Sequence, residues 1–128
     1  MIKEDYVSFE TAKLLKEKGF DEYCLMNYWE SDKELHQWGW ELNYGKNSEK
    51  NTCCKDCSAP TLQMAMKWLR VNYNIHIEPR YFPMPNIYRY VIIHSPTTIE
   101  NIDSHPQYFN SYEEACDAAI KYCLENLI

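Results

Sequence analysis

The sequence predicts an α+β domain of two layers, a four-stranded antiparallel sheet with helices on one face. Three observations carry that reading. Three segments repeat apolar residues at helical spacing between recognisable caps, two others alternate around polar or proline-rich turns as hairpins do, and 128 residues suffice for one core. The order is helix, hairpin, helix, hairpin, helix, and residues 1–128 read as a single globular domain. Sequential hairpins favour antiparallel pairing, and helices with one apolar stripe need a sheet face to cover. Strand order between the hairpins stays open.

The first helix is expected over residues 9–18, with Ser8 as N-cap, Ala12 and Leu15 at helical spacing, and Gly19 followed by Phe20 as a left-handed stop. Residues 22–29 and 35–44 flank the polar Glu30 to Lys33, and folding about that turn puts Tyr23, Leu25, Trp38, Trp40 and Leu42 on one face, toward the helices. A second helix is expected over 60–73, opened by Pro60 and striped by Leu62, Ala65, Met66, Leu69 and Tyr73. Residues 75–81 and 87–94 then flank Pro83 to Asn86, and pairing Ile77 with Ile93 beside Val91 leaves His76, Glu78, Arg80, Tyr88, Tyr90 and His94 on the opposite, outward face. The third helix opens on a Ser111/Glu114 capping box and carries the longest stripe: Tyr112, Ala115, Cys116, Ala119, Ile120, Cys123 and Leu127. Segments 45–58 and 95–110 read as surface loops, the latter with an edge-strand candidate at Thr97 to Ile102.

Charge narrows the partners. Thirteen basic and nineteen acidic side chains give a net charge of −6, the deficit is shared by both halves, and no basic surface of the kind duplex DNA or an anionic membrane needs is expected. The charged start and the lack of a long apolar run argue against a secretory signal or a membrane span, so a cytoplasmic location with reduced thiols is expected. Cys116 and Cys123, seven apart on one helix, are too distant to bridge and should be buried, whereas Cys53, Cys54 and Cys57 should be reached readily.

The segments Tyr6 to Phe20, Ala59 to Arg70, Ile75 to Glu78 and Ser111 to Leu127, more than a third of the chain, resemble small uncharacterised proteins of gut Bacteroidetes and their phages or mobile elements. The resemblance implies an accessory gene product. It brings no catalytic residues with it.

Two constellations carry chemistry. Cys54 and Cys57 form a Cys-x-x-Cys beside Cys53, the spacing by which a turn presents two thiolates to zinc, with Cys24, His36 or His105 as candidates to complete four ligands. The second hairpin offers His76, Arg80, Tyr88, Tyr90 and His94 as a binding surface, in which His76, His94 and Glu78 can also converge on a metal or act as acid and base. Tyr and Arg, Arg89 included, are residue types that suit a protein partner or self-association, while stacking of single-stranded nucleic acid would want a positive groove. With three glycines, no phosphate loop can be drawn; there is no nucleophile elbow and no His-Glu-x-x-His. The expectation is a small binding or accessory protein that engages another protein, linked to a phage or mobile element. The alternative is a zinc-stabilised module built on the Cys53/Cys54/Cys57 loop.

Overall fold

Helix α1 spans Phe9–Glu17, one residue short of the expected end. Ser8 Oγ accepts from the Thr11 backbone at 3.3 Å and meets one of the free N–H groups of the first turn. Gly19, with φ at +92°, ends the helix: the Phe20 N–H reaches the Leu15 carbonyl at 2.9 Å and the Gly19 N–H that of Lys16 at 3.1 Å, the paired bonds of a Schellman stop. The computed structural model describes residues 1–38, 44–49, 55–100 and 108–128, which form two compact units, Met1–Thr61 and Leu62–Ile128.

In the first unit, β1 (Met26–Tyr28) pairs with β2 (Leu35–Gln37) on one side and with β3 (Cys57–Ala59) on the other, both antiparallel. Tyr28 sits opposite Leu35 and Cys57, so these share a face by strand alternation. Helix α1 covers that face. The Phe9 and Tyr28 rings meet edge to face at 5.6 Å, and the buried Tyr28 hydroxyl donates to the Val7 carbonyl at 2.6 Å. The expected inward face is therefore the other one, and Tyr23 is 51% exposed; Trp40 and Leu42 lie outside the described residues. A 3-10 turn at Asn47–Glu49 ties in the segment read as a loop: Asn47 donates to the Phe20 carbonyl at 2.8 Å and accepts from the Ser58 N–H at 2.9 Å. Beside it, Cys24 and Gly45 exchange two backbone bonds, and a Cβ on Gly45 would overlap the Trp38 indole.

In the second unit, α2 (Leu62–Tyr73) buries Leu62, Ala65, Met66, Trp68 and Leu69 and stops at Asn74, whose φ of 54° is left-handed. It starts two residues later than expected, because Pro60 and Thr61 are drawn into the first unit by Val7 and Tyr6. Strands β4 (His76–Phe82), β5 (Ile87–His94) and β6 (Thr97–Glu100) form an antiparallel sheet in that order. Pro79, which has no N–H to give, sits in the edge strand β4. Helix α3 (Tyr112–Asn126) opens on the expected cap, with Ser111 Oγ accepting from the Glu114 N–H at 3.1 Å, while the Glu114 carboxylate turns back to the Asn110 N–H at 3.2 Å. Ala115, Cys116, Ala119, Ile120, Cys123 and Leu124 are fully buried along it, and it packs on β4 and β5.

The α+β class holds, but the four-stranded sheet does not. The hairpins form two separate three-stranded sheets, β2-β1-β3 and β4-β5-β6, and the helix-hairpin alternation is broken by β3 and β6. The physical reason is the hairpin edge, whose unpaired N–H and C=O groups each recruit a short third strand from the segment that follows. The edge-strand candidate in the 95–110 loop is β6. Among the described residues, no helix is long and apolar enough to cross a membrane.

Candidate binding site at the tip of the second hairpin

The β4–β5 register decides which side chains can act together. Ile77 lies opposite Ile92 and His76 opposite Ile93, one residue away from the expected pairing. A shift of one residue exchanges faces. Tyr88, Tyr90 and His94 consequently share the face of Ile77 and Ile92, whereas His76, Glu78 and Arg80 share the other with Arg89 and Val91.

The first of these faces meets α3. Tyr90 is 8% exposed, its ring centroid lies 6.5 Å from that of Tyr122 and 6.0 Å from that of Phe109, and Tyr88 meets Tyr112 at 6.4 Å. Burial also raises the Tyr90 phenol above its ordinary value, with Tyr122 and Cys123 adding to it. Of the five residues expected to form one binding surface, His76 and Arg80 lie on the face away from these rings, while Tyr88, Tyr90 and His94 lie on the ring-bearing face. His76 and His94 do not face each other, and the His76 Nε2 lies 3.0 Å from the Asn74 side chain.

The other face opens at the turn into a hollow of about 240 Å³ lined by Phe82, Met84, Pro85, Ile87, Arg89 and Tyr108. Phe82 and Ile87 are the last pair of the ladder, and Asn86, with φ at 74°, closes the turn by donating its N–H to the Phe82 carbonyl at 3.0 Å. Phe109 exchanges two backbone bonds with Tyr88, which places its neighbour Tyr108 on the Arg89 side. The Arg89 guanidinium then lies 5.3 Å from the Phe82 ring centroid and 4.6 Å from that of Tyr108. Met84 is 88% exposed at the rim. Arg89 was legible as an interface residue type; Met84, Pro85 and Tyr108 were not, although a Pro-Met-Pro turn between apolar strands was a usable signal.

The thiols are disposed differently from expectation. Cys116 and Cys123 are buried as expected, and burial pushes their thiols up to about 11 and about 12. Cys57, expected in an accessible loop, is instead a buried residue of β3, and that burial pushes its thiol up to about 11. Cys53 and Cys54 lie outside the described residues, as does His105. Cys24 is buried, with its thiol raised to about 12 mainly by that burial. His36 stacks on Trp29 at 3.6 Å, and its Nε2 lies 2.8 Å from Asp32 Oδ2. Asp32, held below the ordinary carboxylate value chiefly by the Glu34 N–H, uses its second oxygen to close the β1–β2 turn. Among the described residues, no three or more His, Cys, Asp or Glu side chains are grouped to hold a metal ion.

Set against known proteins, the chain matches no family model, no curated protein and no solved structure.

Proposed function

We propose that this chain is a small binding protein that engages another protein through the tip of the β4–β5 hairpin, as an accessory product of a phage or mobile element. The accessory role rests on the resemblance of the four quoted segments. One observation carries the binding reading: apolar side chains stand out in water around a hollow, with Met84 at 88% and Tyr108 at 53% exposure beside Arg89. Scattered exposed apolar residues need no explanation, but a contiguous group around a concave site with aromatic and arginine members has the composition of an interface centre.

A photo-crosslinking residue at Met84 tests this in cells that express the chain, with one at Val71, 72% exposed on α2, as the control. A discrete crosslinked protein from position 84 and not from 71 is expected. The same products from both positions, or none from position 84, would refute the reading.

A further inference from the structure

We infer that Arg89, clamped between Phe82 and Tyr108, reads a carboxylate that lies next to a bulky apolar side chain in the partner, so that the tip recognises a short acidic-apolar peptide segment. This rests on the reading of the hairpin tip as a protein-binding surface. Arg89 stands on the same rung as Arg80, directly opposite it, an arrangement of like charges that costs stability. Arg80 has Glu78 at 3.7 Å, but among the described residues Arg89 forms no ion pair. Its contacts are the two rings, which hold the charge in place by cation–π attraction and provide no acceptor for its N–H donors. A planar guanidinium fixed in this way is prepared for bidentate binding of a carboxylate.

The size of the hollow selects the rest of the ligand. At about 240 Å³ it is smaller than the roughly 300–1,000 Å³ of most small-molecule sites, and it suits one leucine- or phenylalanine-sized side chain set against Phe82, Ile87 and Met84. Charge selects the class of partner. A chain of net charge −6 whose second hairpin holds only two arginines repels a polyphosphate backbone at long range, while one fixed guanidinium suits one carboxylate at short range.

The experiment pans random linear peptides displayed on phage against the immobilised full chain. A synthetic peptide of the enriched sequence is then titrated against wild type, Arg89→Met, Arg89→Lys and Met84→Ser. Enriched peptides should share an Asp or Glu next to a large apolar residue, and Arg89→Met should weaken binding by about tenfold or more, as expected for a lost hydrogen-bonded charge, with Arg89→Lys in between. The melting temperature of Arg89→Met should stay close to that of wild type, since relief of the opposition to Arg80 offsets the two lost cation–π contacts. A several-degree loss would instead assign Arg89 a structural role and overturn the inference.

If Met84→Ser weakens binding but Arg89→Met does not, or if the enriched peptides lack an acid, the tip binds proteins and the carboxylate inference fails. If neither substitution matters, or nothing is enriched, both readings fail. Arg89-dependent binding of a single-stranded oligothymidine, tighter than that of any enriched peptide, would also overturn the inference.

Discussion

The two sheets have the same number of strands and the same antiparallel pairing, but they are held by different means. In β4–β5 the ladder runs through seven consecutive pairs, and one face packs tyrosines against α3. In β2-β1-β3 each ladder has only three pairs, and side chains supply what the ladder lacks. Asn47 bridges Phe20 and Ser58, Asp56 accepts from the Glu30 N–H at 2.8 Å, Asp21 accepts from the Ser48 N–H at 2.7 Å, and Lys16 donates to the Asp56 carbonyl at 2.7 Å. A sheet of short strands thus depends on particular polar groups, and a sheet of long strands on apolar burial. Polar deletions should injure the first unit and apolar deletions the second.

The largest expected effect is alkaline, and it involves both units. Cys24 and Cys57 in the first and Cys116 and Cys123 in the second keep their protons to about 11 or 12 when folded, against an ordinary value of 9.0. Above 9.0 the unfolded chain releases protons that the folded chain retains. Stability should therefore be intact below pH 9.0 and fall as pH rises toward 11 and beyond. Urea midpoints followed from neutral to alkaline pH measure this, and Ala at one pair of thiols at a time apportions the slope between the units. A slope that neither pair alters would mean that the thiols reach water.

Next in size is Tyr90→Ala, which removes a buried ring set between Phe109 and Tyr122 and should cost about 3 kcal/mol in denaturant unfolding. A near-neutral result would return Tyr90 to the exterior and invalidate the observed register. Asn47→Ala, in the other sheet, should cost about 2 kcal/mol, because it leaves the Ser58 N–H in a fully buried residue without its acceptor and also removes the Asn47 donor to the Phe20 carbonyl. Loss of less than about 0.5 kcal/mol, the range of ordinary surface changes, would show that the short strands do not need that bridge.

The same contrast explains what could be read from the chain. Helix ends were legible because one or two residues make them: Ser8, Gly19 and Ser111 each act through a bond to a near neighbour. The β4–β5 register was not. Tyr88 to Ile93 is apolar at nearly every position, so burial alone does not distinguish the two faces, and the turn geometry at Asn86 sets the pairing instead. Strand β3 was missed because Cys-Ser-Ala has neither alternation nor β-branched residues, and its place in the sheet depends on Asn47, eleven residues from Ser58. The candidate site suffered the same one-residue error. Its exposed members, His76 and Arg80, were readable as polar positions, but the hollow needs Tyr108 brought alongside by a bridge across more than twenty residues of chain.

The smallest expected effect comes from the outer face of the long-stranded sheet. Glu78→Gln removes the 3.7 Å pair with Arg80, but both side chains are about half exposed and solvent screens their attraction. The loss should stay below about 0.5 kcal/mol and shrink further in high salt. A residual loss at low salt is expected, because Arg80 then faces Arg89 across the ladder without a neutralising neighbour. Thermal unfolding at two ionic strengths measures it. If this exposed carboxylate proved as costly to remove as Asn47, polar groups would hold the second sheet too, and the division between a sheet fastened by side chains and one fastened by packing would fail.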